Sequence, residues 1–104
     1  MTAFNEQKRQ AIRRNFSSVV EYLDRKFGKS PIHLIEVPSY SYKGNKSKLE
    51  ITVYPSPTIA KVGVRIMGLK NYDREPAYEC SYDLDSLSMT VFQRAIEDLI
   101  SRMD

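Results

Sequence analysis

The sequence predicts an α+β fold: a two-layer sandwich in which an antiparallel sheet of three to four strands carries the N- and C-terminal helices on one face, in the order α-β-β-β-β-α. Three observations carry this prediction. Apolar residues recur at helical spacing near both ends of the chain, strict apolar/polar alternation fills the middle, and Gly and Pro mark the changes between them. Antiparallel strands with one apolar face need a cover, and two amphipathic helices supply it.

The first helix is predicted over roughly residues 5–27, where Ile12, Phe16, Val19, Val20, Leu23 and Phe27 step by three and four along one stripe. Gly28 can take the left-handed position that closes a helix, and Pro31 cannot continue one. Continuing the stripe backward brings Lys8 and Arg9 to its azimuth, so residues 1–10 are expected to project beyond the core or fray. Ile32 to Val37 is a short apolar run that Pro38 interrupts, and it reads either as its own strand or as one bent strand with 39–43. Ser39–Lys43 and Lys46–Tyr54 flank Gly44-Asn45, a two-residue hairpin signal. Leu49, Ile51 and Val53 alternate with polar residues, as do Val62, Val64 and Ile66, and then Tyr78, Cys80 and Tyr82. The second helix is predicted from about 86 to 103, with Asp85, Ser86 or Ser88 as its cap and an exposed Arg94–Asp98 pair. The sheet face away from the helices should then show Glu50, Thr52, Tyr54, Lys61, Arg65, Met67, Glu79, Ser81 and Asp83.

With 104 residues, the chain is expected to form a single compact domain over 1–104. Cys80 is the sole cysteine and His33 the sole histidine, which excludes an internal disulfide and a Cys/His zinc site. The first ten residues lack the apolar stretch of a signal peptide, and no apolar run is long enough to span a bilayer. A cytoplasmic protein without membrane contact is therefore expected, and the Asn15-Phe16-Ser17 and Asn45-Lys46-Ser47 sequons are read as chance.

Composition argues against catalysis. Cys80 falls on the predicted core face, where a thiol behaves as a small hydrophobe instead of as a nucleophile for His33. Glu79 and Asp83 would stand roughly 13 Å apart on one strand, too far for a glycosidase pair. The glycines match no phosphate-binding loop, and Asp83-x-Asp85 is too sparse for calcium. No cofactor, metal or catalytic residue is expected.

Charge and tyrosine content point to binding. Residues 1–70 hold 13 Lys/Arg against 5 Asp/Glu, whereas residues 71–104 hold 3 against 8, a split that suggests a binding surface or self-pairing. Seven tyrosines and no tryptophan are a skew, and tyrosine and arginine are enriched at protein interfaces. Tyr40, Tyr42, Tyr54, Arg65, Tyr72 and Arg74 are accordingly the candidate protein-binding residues. The alternative is nucleic-acid binding through Lys8, Arg9, Arg13, Arg14 and Arg25 on the first helix, with Lys43, Lys46 and Lys48 on the hairpin beside two tyrosines. The element order resembles that of the double-stranded RNA-binding domain. That family carries lysines where its second helix begins, however, and here Asp85-Ser86-Leu87-Ser88-Met89 is acidic.

A non-catalytic module that binds another protein, as an adaptor or stoichiometric inhibitor, is the leading expectation. Small proteins of this kind are common among phage and mobile-element factors directed against a host system. A second copy is a further candidate partner, with Arg14 and Arg25 facing Glu97 and Asp98 of the neighbour.

Overall fold

The computed structural model describes residues 3–28, 37–55, 60–68 and 78–103. Helix α1 (Ala3–Phe27) is followed by β1 (Ser39–Lys43), β2 (Ser47–Pro55), β3 (Ala60–Gly68) and β4 (Tyr78–Asp83), then a 3-10 turn (Leu84–Ser86) and helix α2 (Met89–Arg102). The strands form one antiparallel sheet in the order β1-β2-β3-β4. This is the predicted α-β-β-β-β-α arrangement. Of the predicted 32–37 strand only Val37 lies within the described residues.

The register explains why one face is apolar. Tyr40 stands opposite Ile51, Ile51 opposite Val64, and Val64 opposite Cys80. One row further along, Val53 faces Val62 and Val62 faces Tyr82. Leu49, Ile51, Val53, Val62 and Val64 are buried, together with Val19 and Leu23 of α1 and Phe92, Ile96 and Leu99 of α2. At roughly 25 cal/mol per Å² of apolar surface, each of these side chains contributes about 1.5–3 kcal/mol relative to exposure.

Both helices lie on this face. The Phe92 ring meets Tyr82 of β4 edge-on at 5.6 Å and Tyr22 of α1 at 6.1 Å, so one residue of α2 touches the sheet and the other helix. At the far end of α1, Phe27 packs edge-on against Tyr42 of β1. The α1 helix therefore runs over β1 and β2, with α2 beside it over β4. Leu84 is fully buried, and its carbonyl accepts a hydrogen bond from the Asn15 side-chain amide, which ties the 3-10 turn to α1. Beyond that tie, Glu6 to Gln10 are all exposed.

The helix ends follow local chemistry. Gly28 closes α1 with a φ of 86°, where an L side chain would be strained, and its N–H donates to the Asp24 carbonyl. Ser88 caps α2 by accepting from the Val91 N–H. Of the three predicted cap residues it is the one used, because Leu84–Ser86 winds into its own turn to bury Leu84.

Two local expectations are corrected. Lys43 pairs with Lys48, and the Gly44 N–H donates to the Ser47 carbonyl, so the hairpin turns at Asn45-Lys46 and not at Gly44-Asn45. The shift moves the pairing by two positions, which preserves which residues face the core and aligns Tyr42 with Leu49. On α2, Asp98 pairs with Arg102 at 3.2 Å instead of Arg94. Both spacings are four residues, and the pair with the acid N-terminal is the one that complements the helix dipole.

Replacing Phe92 by Ala should cost about 3–5 kcal/mol of stability, by loss of a large ring between three elements. Asn15→Ala should cost about 1–3 kcal/mol, since it leaves the buried-turn carbonyl without its donor. Urea unfolding measures both, and a Phe92→Ala variant as stable as the parent would show that the ring is not the joint between the layers.

Candidate functional site

The uncovered sheet face is the candidate site, and strand alternation builds it. Residues next to the buried ones point the other way, so the face is a grid set by the register. Its rows are Ser41–Glu50–Arg65–Glu79, then Ser39–Thr52–Gly63–Ser81, then Tyr54–Lys61–Asp83. At one end Lys43, Lys48 and Met67 share a further row. The middle of the grid forms a shallow hollow of about 710 Å³ that is open to solvent. Glu50, Tyr54, Lys61, Arg65 and Glu79 rim it, with Gly63 in its floor.

Gly63 matters because of what its missing side chain admits. A methyl group there would sit 3.8 Å from Cε2 of Tyr54, so the tyrosine ring leans diagonally over the glycine and covers bare backbone. Tyr54 nonetheless remains 37% exposed. Arg65 is oriented by Glu79, with Nη2 3.5 Å from Oε1, and has Glu50 directly across on its other side. Lys48 Nζ lies 3.9 Å from Glu50 Oε1. Charges of both signs alternate along the Glu50–Arg65–Glu79 and Lys61–Asp83 rows, whereas Lys43 stands opposite Lys48.

The predicted protein-binding residues do not form one cluster. Tyr54 and Arg65 share the open face. Tyr40 is corrected from a surface residue to a core residue: it is 4% exposed, and its hydroxyl donates to Asp24 Oδ1 at 2.7 Å. Its place opposite Ile51 put it on the helix side, where α1 covers it. Tyr42 stands on that same side against Phe27, half-exposed at the margin and facing away from Tyr54. Tyr72 and Arg74 lie outside the described residues.

The predicted cations are also divided. Arg9, Arg13, Arg14 and Arg25 are exposed on α1. Lys8 lies 3.7 Å from Asp85, and the neighbouring Lys26 bonds Glu97, so both are matched by the acidic end of the chain. Lys43 and Lys46 are exposed on the hairpin, and Lys48 is half-buried beside Glu50. With Glu97 and Asp98 engaged by Lys26 and Arg102, the acids expected to receive a second copy's arginines are already paired.

Protonation chemistry gathers under the helices instead of on the open face. Burial, then the hydrogen bond with Cys80, pushes the Tyr82 hydroxyl up to about 12. Tyr40 is raised by burial and by its bond to Asp24, and Tyr78 by its bond with Cys80. Cys80 is half-buried between these tyrosines, and His33 lies outside the described residues. Among the described residues, no group of His, Cys, Asp and Glu is arranged to hold a metal ion, and no helix is long and apolar enough to cross a membrane. No family model matches the chain, and neither does any curated protein or solved structure.

Glu50, Lys61, Gly63 and Glu79 complete the site although sequence reasoning did not select them as binding residues. Alternation had placed the three charged ones on this face; only the cross-strand register shows that they surround Arg65 and Tyr54.

The raised tyrosines fix the sign of the pH response. The folded state favours their protonated form, so this contribution is complete below the ordinary tyrosine value of 10.0 and is lost as pH climbs through the higher folded values. Urea midpoints should thus fall above pH 10. Tyr40→Phe should lower stability by about 1.5–3 kcal/mol near neutrality, because a bond to a charged carboxylate is lost, and should also shallow the alkaline decline. An unchanged midpoint in that variant would exclude the Tyr40–Asp24 bond as a tie between α1 and β1.

Proposed function

We propose that this protein is a small non-catalytic binding module whose open sheet face docks a different protein, as an adaptor or a stoichiometric inhibitor. The observation that carries this reading is the hollow itself: an uncovered concave face with a half-exposed tyrosine beside an oriented arginine. Such residues dominate interface energetics when neighbours exclude water around them. Holding Arg65 against Glu79 and Tyr54 over Gly63 lowers the ordering cost of binding, since both side chains are already constrained.

The alternating charges favour a protein as the occupant. Glu50, Glu79 and Asp83 interleave with Arg65 and Lys61, so a phosphate backbone laid across the face would meet a carboxylate in the Glu50–Arg65–Glu79 row and in the Tyr54–Lys61–Asp83 row. They also disfavour a second copy stacked about an axis through β3. Stacking two such faces in that way places Arg65 over Arg65 or Lys61 of the other copy, and Glu79 over Glu50 or Asp83. Like charges brought together in this way cost several kcal/mol. A partner with its own complementary pattern avoids that cost.

The test compares immobilised parent and variants on nuclease-treated lysate of the source cell. Tyr54→Ala should weaken capture of a specific protein by on the order of 30-fold, equivalent to about 2 kcal/mol, and Arg65→Glu should abolish it. Tyr42→Ala, on the other side of the sheet, should leave capture intact. Equal capture by the parent and both face variants would refute this surface.

A further inference from the structure

We infer that the outward arginines of α1 form a second surface, which binds the phosphate backbone of a nucleic acid. This surface is separate from the open sheet face and does not rest on the reading given to that face.

The starting point is the fate of the helix cations. The basic part of the chain faces the acidic part within one molecule, and Lys8 and Lys26 flank the side of α1 where Asp85 and Glu97 meet them. Arg9, Arg13, Arg14 and Arg25 turn elsewhere. All four are exposed, and among the described residues none has an ion-pair partner. Arg9 and Arg13 are one turn apart on the flank of α1, Arg9 where the apolar stripe continues beyond the core. Arg14 stands roughly 100° round the helix from Arg13, so the three wrap the basic end within roughly 7.5 Å of helix rise. Arg25 stands on the same outward line as Arg14, roughly 16 Å further on. The exposed acids of the helix are Glu6 and Glu21, which leave the surface with a positive excess.

The kind of partner follows from what accompanies the charge. A protein interface needs an apolar or aromatic anchor that becomes desolvated. Among the described side chains, which on α1 begin at Glu6, the exposed large apolar ones are Tyr42, Tyr54, Tyr78 and Val91, and none belongs to α1. The arginines are instead surrounded by Gln7, Gln10 and Ser17. Phosphate binding needs no anchor, because released counterions drive it, and arginine's planar fork matches phosphate oxygens in pairs. The helix holds the three groups in fixed order where Glu6 to Gln10 are exposed on all sides, so a polyanion can approach without displacing the core.

The hairpin lysines are separate from the Arg9, Arg13 and Arg14 group on which this surface centres. Phe27 packs on Tyr42, which places the hairpin at the C-terminal end of α1. That end is roughly 20 Å from Arg14 by helix rise. Lys48 is also paired with Glu50.

The experiment is fluorescence anisotropy of the full chain with a labelled mixed-sequence DNA duplex and its single strand, between about 50 and about 200 mM salt. The parent should bind one or both with micromolar Kd at low salt, weakening steeply as salt rises. The triple variant Arg9→Gln, Arg13→Gln, Arg14→Gln should bind at least tenfold more weakly. Its log–log salt slope on duplex should be shallower by about 2.7, since each phosphate contact contributes about 0.9. The corresponding triple Lys variant keeps the charges and should keep the slope, which separates charge loss from any damage to the helix. Lys46→Gln and Tyr54→Ala should bind as the parent does. Absence of binding at low salt, an unchanged slope in the Gln variant, or equal competition by polyglutamate and unlabelled duplex would each overturn the inference.

Discussion

The architecture depends on where the Phe92 ring sits. It is fully buried, edge-on to Tyr22 on one side and to Tyr82 on the other, so α1, α2 and β4 share one aromatic joint. Edge-to-face pairs of this kind add about 0.5–1.5 kcal/mol each beyond burial, and here they also decide geometry. A helix pinned to its neighbouring helix and to the sheet by one side chain cannot migrate to the opposite face. Both helices therefore crowd one side, and the other side stays bare. The open grid of Glu50, Thr52, Tyr54, Lys61, Arg65 and Glu79 is thus a consequence of packing elsewhere.

The charge split takes a different meaning once the fold is known. Viewed along the chain, it suggests a dipole that reaches for a partner. In the folded molecule Lys8–Asp85, Lys26–Glu97 and Arg65–Glu79 each join the basic part to the acidic part. These pairs are largely exposed and contribute little stability individually. Their combined effect is on orientation: opposite charge biases α1 to run parallel to α2, with its N-terminal part beside the turn at Leu84–Ser86 and its C-terminal end beside Glu97. On α1 the pairing leaves over four exposed arginines among the described residues, Arg9, Arg13, Arg14 and Arg25.

Most of the fold was legible because the sequence states it twice. The period-2 alternation of 49–53, 60–67 and 78–83 assigns each side chain to a face, and the helical stripes ending at Phe27 and Met103 supply the cover. The hairpin turn was misplaced because Gly44-Asn45 carries the stronger local signal. Tertiary alignment of Tyr42 with Leu49 under Phe27 overrode it. Tyr40 was misread for a related reason. Tyrosine near a turn has the composition of an exposed anchor, and only its parity with Ile51 reveals that it points under α1 to reach Asp24. The site was half legible: Tyr54 and Arg65 follow from alternation, whereas Gly63 beneath the tyrosine and Glu79 beside the arginine require register across three strands. Composition alone could not distinguish the lysines neutralised within the chain from the arginines left exposed, since that depends on which azimuth of α1 meets the acidic end.

The two surfaces differ in chemistry because they differ in position. The open grid is a sheet face, where a two-residue period forces charged residues into rows and places opposite signs side by side, so it suits a patterned, partly apolar partner. The outward side of α1 is convex, with arginines that have no cross-strand neighbour to neutralise them, so it suits a uniform anion. They lie on opposite sides of the two-layer sandwich, separated by the sheet and by a helix of roughly 10 Å diameter. A ligand on one therefore does not obstruct the other. Any coupling between them would have to pass through the Val19, Leu23, Ile51 and Val64 core. Among the described residues that core has no charged member that could switch partners. Occupation of the two proposed surfaces is then expected to be additive.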